Sequence, residues 1–198
     1  NNIDVNTTIC LILILVSRIF CFLYLLKCIF IIVKNIHYKD IHLMSDFQLW
    51  FFTGFEHILD FKAYDHIAFL VALTVMFAIE DWKYLLIQIT AFTIGHSLTL
   101  ALSVLNILSI KQSPIELLIP FTILLTSVSN LISLKFELPF RKSNYYFALI
   151  FGLVHGLGFS FLLKAMLGKE ESIAGPLFAF NTGIEAGQLL IVGFLLII

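Results

Sequence analysis

The sequence predicts an all-α protein, a polytopic membrane bundle of hydrophobic helices, and three observations lead to that prediction. Hydrophobic residues make up 60% of the 198 residues and charged residues only 13%, whereas a soluble domain carries about 25% charged residues. The mean hydropathy is +1.02. The apolar residues are grouped in blocks of about 17–25, the length that crosses a hydrocarbon layer about 30 Å thick. We therefore expect an integral membrane protein.

Net charge and cysteine positions exclude two classes of site. The formal net charge is −1, and no basic cluster indicates a nucleic-acid partner. All three cysteines, Cys10, Cys21 and Cys28, lie in the first hydrophobic segment. A thiolate metal site in the rest of the chain is therefore excluded, and a metal bound there must use imidazole and oxygen ligands.

The sequence divides into two parts at Met44. Residues 1–43 contain an apolar run over 9–33 without the small-residue cleavage site of a secretory signal. Three interpretations of this part stay open: an extra transmembrane helix, an uncleaved signal anchor, or a non-native extension, because Met44 resembles a natural start. Residues 44–198 form one predicted membrane domain. Its last apolar run reaches Ile198 without a flanking polar residue, which suggests truncation at the carboxyl end.

Six transmembrane helices are predicted after Met44, with or without one more at the amino end. The first is short, and the second ends at a charged turn that contains the interfacial Trp82. Pro114 opens the fourth helix, in a position where proline is tolerated. Lysine and arginine are equally numerous on the two sides of the bundle, so they leave its orientation open. The predicted helices cover residues 47–60, 66–79, 84–108, 114–134, 145–167 and 176–198.

Polar residues at the junction of the first two helices are the first candidates for a site. His57 lies near the end of the first helix, and Asp65 and His66 come directly before the second. A carboxylate beside an imidazole can fix the tautomer of the ring or bind the ion itself. The alternative is a solvated interfacial loop without function, which the nearby charges of Asp60 and Lys62 would favour.

Two further histidines lie inside predicted membrane segments. His96, beside Ser97, is near the middle of the third helix, where unpaired ring nitrogens would cost about 2–7 kcal/mol. We expect it to face a polar interior, and a purely structural hydrogen bond is the alternative. His155 stands among glycines at helical spacing, which allow another helix to approach closely. That spacing turns its side chain toward the helix contact rather than toward lipid.

The sixth helix contributes an acidic residue and two amides on one face. Glu185 and Gln188 are three residues apart, and Asn181 is one turn before Glu185. A glutamate inside an apolar helix needs a cation, a metal or a proton. Glu116 and Asn130 in the fourth helix are weaker candidates. The predicted metal ligands are His57, Asp65, His66, His96, His155 and Glu185, and the residues expected around them or along a pathway are Glu56, Ser97, Asn181 and Gln188.

This ligand set narrows the chemistry without deciding between functions. Imidazoles and carboxylates without sulfur suit nickel, zinc or cobalt better than copper(I). The same groups suit a metal-activated water for hydrolysis or a proton relay. The sequence chemistry therefore predicts a polar site inside the membrane and leaves these three uses open.

The order of the motifs resembles that of the HupE/UreJ family. The motifs are Gly54-x-x-His57, Asp65-His66-x-x-Phe69, Phe92-Thr-x-x-His96-Ser97-x-Thr99-Leu100, His155-Gly-Leu-Gly-Phe159 and Phe180-Asn-x-Gly-x-Glu185-x-Gly-Gln188. The resemblance implies a small membrane protein of six to seven helices. Members of the HupE/UreJ family are associated, as permeases, with nickel supply to hydrogenase and urease. By position, His57, Asp65 and His66 match the first family motif, and His155 matches the later His-Gly.

Two differences place the resemblance in the broader branch of that family rather than in its nickel-permease branch. Seven residues separate His57 from Asp65, where the family pattern has five. The nickel-permease branch carries a second histidine and a glutamate after the His-Gly of the fifth helix, and this chain has Gly158, Phe159 and Ser160 there.

From the residues and the resemblance together we expect a membrane permease for a divalent transition-metal ion, nickel or a similar one, in the bacterial inner (plasma) membrane. No tightly bound cofactor is expected, and nickel, cobalt or zinc would be the substrate. One alternative is an intramembrane metal-dependent hydrolase in which Ser97 or a water reacts. The other is a non-catalytic membrane accessory for metalloenzyme maturation. The expected partners are the lipid bilayer, the metal ion and a metalloenzyme maturation system.

Overall fold

The computed structural model describes residues 21–36, 44–60, 64–136, 144–168 and 172–197, and no strand occurs within these ranges. The all-α prediction is confirmed for this part of the chain. Residues 21–36 are helical and are called α1; the predicted run over 9–33 extends beyond the described residues. The other helices are α2 (Asp46–Leu59), α3 (Tyr64–Thr74), α4 (Trp82–Val104), α5 (Gln112–Phe136), α6 (Asn144–Leu167) and α7 (Ala174–Ile197), with a short 3₁₀ helix (Ile79–Asp81) before α4.

Helix α2 begins at a capping box directly after Met44. The Ser45 Oγ accepts a hydrogen bond from the Gln48 backbone N–H at 3.3 Å, and the Gln48 Oε1 accepts one from the Ser45 N–H at 3.0 Å. These reciprocal bonds satisfy two amide groups that the helix itself leaves unpaired. The helix then ends at Leu59, where the next residue, Asp60, has an extended backbone.

Helix α4 ends at Val104, four residues before the predicted end. Asn106 has a φ of +58°, a left-handed conformation that asparagine tolerates better than most residues. The Ile107 N–H donates to the Leu102 carbonyl and the Asn106 N–H to the Ser103 carbonyl, each at 3.0 Å. This pattern is a Schellman motif, which closes a helix by satisfying its last carbonyls.

Four described helices, rather than the predicted six, are both long and apolar enough to cross a membrane. They lie over Ile79–Val104, Gln112–Ser133, Tyr145–Leu167 and Ala174–Ile197. At 1.5 Å per residue, the 14-residue α2 is about 21 Å long and the 11-residue α3 about 16 Å, both short of a hydrocarbon layer about 30 Å thick. The second predicted helix is shorter in the structure, where α3 ends at Thr74 and the Phe77 N–H donates to the Thr74 carbonyl at 2.9 Å in a turn.

Two close helix crossings position the interior of the bundle. Gly54 of α2 lies against the Phe180 carbonyl of α7, and Gly156 of α6 lies against the His96 carbonyl of α4. A Cβ at either glycine would collide with that backbone oxygen, so only glycine permits the approach. The α2–α7 and α4–α6 pairs therefore pack backbone to backbone, and their buried faces are brought together at the polar residues described next.

Candidate metal centre

The ends of two short helices bring the first two imidazoles together. His57 lies in the last turn of α2, and His66 is the third residue of α3. Their ring centroids are 4.7 Å apart, with the ring planes at 74°. Residues 61–63 between the two helices lie outside the described ranges. The two short helices thus place His57 and His66, two possible metal ligands, side by side. In the chain, seven residues separate His57 from Asp65, which directly precedes His66.

His96 of α4 completes a cluster of three imidazoles. One ligand atom from each of His57, His66 and His96 lies within 4.8 Å of the other two. His96 is 0% exposed and His66 is 7% exposed. The three rings come from three different helices and converge inside the bundle, as the sequence analysis anticipated for these residues. We call this set the three-histidine cluster.

Asp65 controls which nitrogen of His66 is available. The Asp65 Oδ1 accepts hydrogen bonds from the His66 Nδ1 at 3.1 Å and from the His66 backbone N–H at 3.0 Å. The ionised carboxylate fixes the proton on Nδ1, so the Nε2 of His66 presents a lone pair.

His155 adjoins the cluster and has its own partner. Its ring centroid lies 5.5 Å from that of His66, and its Nε2 lies 3.3 Å from the Thr122 Oγ1 of α5. Thr122 donates its single hydroxyl proton to the Ile119 carbonyl at 2.7 Å. The hydroxyl oxygen therefore accepts the Nε2 proton of His155, and the Nδ1 of His155 is left with a lone pair.

The cluster concentrates buried nitrogen atoms that have no hydrogen-bond partner among the described residues. They are His57 Nε2, His66 Nε2, both ring nitrogens of His96, and His155 Nδ1. Most buried polar atoms in proteins are paired, and an unpaired one costs about 1–3 kcal/mol. Several unpaired nitrogens in one buried cluster are an arrangement that a bound cation would stabilise.

Glu185, a predicted ligand, lies outside the three-histidine cluster. Its Oε1 accepts a hydrogen bond from the Thr90 Oγ1 of α4 at 2.8 Å. One turn later in α7, the Gln188 Oε1 accepts from the Thr93 Oγ1 at 3.0 Å. The two threonines lie on α4 about one to two turns before His96. Glu185 and Gln188 thus line the α4–α7 contact instead of meeting the imidazoles.

Other predicted residues are engaged with backbone. The Ser97 Oγ donates to the Thr93 carbonyl at 2.6 Å, and the Asn181 Nδ2 donates to the Leu177 carbonyl at 2.8 Å. Such bonds to the preceding turn are common for polar residues inside helices. Glu56 lies directly before His57 in α2 and is half-buried.

The two weaker candidates have structural roles outside the cluster. Glu116 is exposed, and its Oε1 accepts a hydrogen bond from the Gln112 Nε2 one turn earlier, at 2.9 Å. Asn130 is buried, and its Nδ2 donates to the Ala72 carbonyl of α3 at 2.6 Å. The contact ties the carboxyl end of α3 to α5, so Asn130 stabilises the short helix that carries His66.

Sequence reasoning missed Thr122, and it assigned no role to the phenylalanines around the cluster, although four of them stand in the motifs quoted above. Thr122 is one of many hydroxylated residues in the apolar helices, and only the fold shows that it contacts His155. The phenylalanines left a weak signal, because Phe151, His155 and Phe159 are spaced four residues apart on one face of α6.

Comparison with known proteins agrees with this architecture. A family model described as HupE / UreJ protein matches residues 12–198, nearly the whole chain. No curated protein and no solved structure matches the chain. The helical fold with its apolar spans and buried histidines fits the expectation for such a protein. The match covers far more than half of the sequence, and the chain belongs to the HupE/UreJ family.

Proposed function

We propose that this protein is a membrane permease for a divalent transition-metal ion, nickel or a similar one. Its binding site is formed by His57, His66 and His96, with His155 beside them. The observation that carries the proposal is the three-histidine cluster: one ligand atom from each ring lies within 4.8 Å of the others. Each of the three rings has at least one buried nitrogen without a hydrogen-bond partner in the described part of the chain.

The spacing of the imidazoles supports a shared ion. Nitrogen ligands lie about 2.1 Å from a metal such as zinc, so the ligand atoms around it are about 3.4 Å apart. Atoms already within 4.8 Å of one another reach that spacing by movements of about 1 Å. Rotation of a side chain about its own bonds is sufficient, and no helix has to move.

The ligand chemistry supports a borderline transition metal over magnesium or calcium. Magnesium and calcium take oxygen ligands, whereas neutral imidazole suits nickel, cobalt and zinc. The nearest carboxylate, that of Asp65, is bound to His66 and orients the ring. A transported ion must also be able to leave its site, so the ligands have to release it reversibly.

The depth of the site supports transport. His155 is the twelfth of the 24 residues of α6, halfway along an apolar span. His57 and His66 meet near it, at the adjacent ends of α2 and α3. We propose that these two short helices each cross part of the inner membrane and meet at its midplane, in place of two complete spans. Interrupted helices that meet at a midplane binding site are a recurring feature of transporters.

Uptake by proteoliposomes tests the proposal. Radiolabelled nickel, cobalt and zinc are supplied outside vesicles that contain the wild type, His96→Ala or the control Thr93→Val, which removes the hydroxyl that contacts Gln188 one turn before His96. We expect saturable uptake of at least one ion by the wild type and the control, and none by His96→Ala. Uptake that is equal in wild type and His96→Ala, or absent for all three ions, would contradict a permease.

One observation favours a second function, a metal-dependent hydrolase. Catalytic zinc sites use three protein ligands and keep one position open for water, and the cluster offers three imidazoles. Ser97 is a weak nucleophile candidate because its hydroxyl donates to the Thr93 carbonyl, so a metal-bound water would have to react. A metal that stays bound through prolonged dialysis, in a protein without ion flux, would favour the enzyme.

As a permease, the protein would supply the ion to a metalloenzyme maturation system.

A further inference from the structure

Two groups of phenylalanine rings enclose the histidines. The first consists of Phe69 of α3, Phe92 of α4 and Phe151 of α6, and we call it the α3–α4–α6 layer. The second consists of Phe159 of α6 and Phe180 of α7, and we call it the α6–α7 pair. Both groups contact an imidazole ring directly, so each forms a wall of the polar site.

The α3–α4–α6 layer closes the site on the side of His155. Phe69 and Phe92 stack with centroids 4.9 Å apart, and Phe151 meets Phe69 edge to face at 5.8 Å. Each of Phe69 and Phe92 lies 5.4 Å from the His155 ring. All three phenylalanines are buried, with Phe69 and Phe92 each only 1% exposed. Neighbouring ring contacts at these distances leave no polar atom between the rings.

The α6–α7 pair closes the site on the side of His57. Phe159 and Phe180 are stacked almost in parallel, with an interplanar angle of 6° and centroids 5.1 Å apart. Phe159 lies 3.9 Å from the His57 ring, and Phe180 lies 6.0 Å from it. Phe180 is 0% exposed. This wall has two rings instead of three and rests on α7 at its close crossing with α2.

The register of α6 places the two groups on opposite sides of the histidines. Phe151, His155 and Phe159 follow one another at intervals of four residues on this helix. Four residues advance a helix by about 6 Å along its axis. Phe151 therefore lies about one turn to one side of His155, and Phe159 about one turn to the other. Because α6 is a candidate membrane span, the two sides correspond to the two faces of the bilayer.

We propose that the α3–α4–α6 layer and the α6–α7 pair are two gates that open alternately, one toward each face of the membrane. The proposal rests on the permease function above. Phenylalanine offers no ligand for a metal or its water, and hydrophobic constrictions stop ions by excluding water. The structure is the occluded state, with both gates closed over the three-histidine cluster. A permease whose gates opened together would leak ions, so alternation is what permits coupled transport.

Thiol accessibility tests the gates without any metal. The reporter is His66→Cys in a background where Cys10, Cys21 and Cys28 are serine. A cationic, membrane-impermeant methanethiosulfonate reagent is added to one side at a time of vesicles with uniformly oriented protein. Phe159→Ala opens one gate and Phe69→Ala the other. The matched control is Phe161→Ala, which removes a ring of α6 that is 70% exposed.

We expect each gate variant to raise the labelling rate about tenfold or more, from opposite faces, and the control to leave it unchanged. Acceleration from the same face in both variants, or in neither, would overturn the proposal. If an alanine variant does not fold, Phe159→Leu and Phe69→Leu with the reporter His57→Cys give the same comparison, because leucine removes the flat ring and keeps most of the volume.

Measurements of ion flux then distinguish a failure of the gate proposal from a failure of the proposed permease function. The double variant Phe69→Ala/Phe159→Ala, with its histidines intact, should let a preloaded ion gradient collapse faster than either single variant. If labelling changes sidedness as expected but the wild type transports none of the three ions, the gates stand and the permease fails. If the wild type transports ions but both variants label like the control, the permease stands and the gates fail.

Discussion

Two polar regions of α4 lie within the same apolar bundle and differ in whether their polar atoms have hydrogen-bond partners. Near the middle of the helix, His96 meets His57 and His66, and at least one nitrogen of each ring has no partner among the described residues. About one to two turns earlier, Thr90 and Thr93 donate to Glu185 and Gln188 at 2.8 and 3.0 Å. In the first region several ring nitrogens lack a partner, whereas in the second one oxygen each of Glu185 and Gln188 accepts a hydrogen bond from a threonine.

The difference teaches that a polar residue in a membrane helix does not by itself identify a binding site. Glu185 is the more conspicuous residue in the sequence because an acid in an apolar helix is costly. In the fold, Thr90 provides a hydrogen bond to it. A ligand site is indicated instead where several buried atoms converge and remain unpaired. The predictions below compare the two regions, beginning with the largest effect.

Removal of one imidazole should abolish metal binding. For His96→Ala we expect the affinity for nickel, cobalt or zinc to fall more than about 100-fold, because a direct ligand matters more than the outer partners whose loss costs 10–100-fold. Equilibrium dialysis in detergent measures the metal affinity, and Thr93→Val is the control from the region in which threonines contact Glu185 and Gln188. Similar affinities in these two variants would show that the contrast between the regions has no functional meaning.

A side chain that pushes α6 away from α4 should displace the backbone at His96 and weaken the three-histidine cluster. In Gly156→Ala the new Cβ meets the His96 carbonyl and the Thr99 hydroxyl. The hydroxyl can rotate but the carbonyl cannot, so we expect a loss of about 1–3 kcal/mol in the free energy of unfolding together with weaker metal binding. Gly193→Ala is the matched control, since a Cβ there meets nothing within 4 Å. Reversible denaturation in mixed micelles compares them, and equal stability would refute the close packing.

The carboxylate of Asp65 should matter through orientation. For Asp65→Asn we expect a 10–100-fold loss of metal affinity, as for other outer partners of metal-binding histidines. The amide no longer fixes the proton on the Nδ1 of His66, so part of the population presents the wrong nitrogen. Asp46→Asn, at the exposed start of α2, controls for the loss of charge. An affinity unchanged within about twofold would mean that His66 needs no orienting group.

The smallest effect is expected for Glu185→Gln. The amide keeps an acceptor oxygen for Thr90, so metal affinity should stay within about threefold and stability within about 1 kcal/mol, in the range measured for hydrogen bonds between membrane helices. The same dialysis and denaturation measurements apply. A loss of affinity as large as that of His96→Ala would show that Glu185 reaches the ion after all.

The sequence by itself determined the helices and most of the histidine candidates. Apolar blocks predicted a helix at each of six places after Met44, because each residue in lipid must satisfy its backbone within its own helix; four of these helices are long and apolar enough to cross a membrane. The cost of placing an imidazole in such a block singled out His96 and His155. Neither conclusion requires knowing which helices are neighbours.

Only the tertiary structure decided which polar residues meet and which are satisfied. Contacts between helices that are distant in the chain bring together His57, His66 and His96. The same packing lets the Thr90 hydroxyl donate a hydrogen bond to Glu185. The early end of α3 at Thr74 was also hidden, since the apolar pattern continues past it. Hydrogen-bond satisfaction depends on the positions of two partners at once, and a one-dimensional pattern records each residue alone.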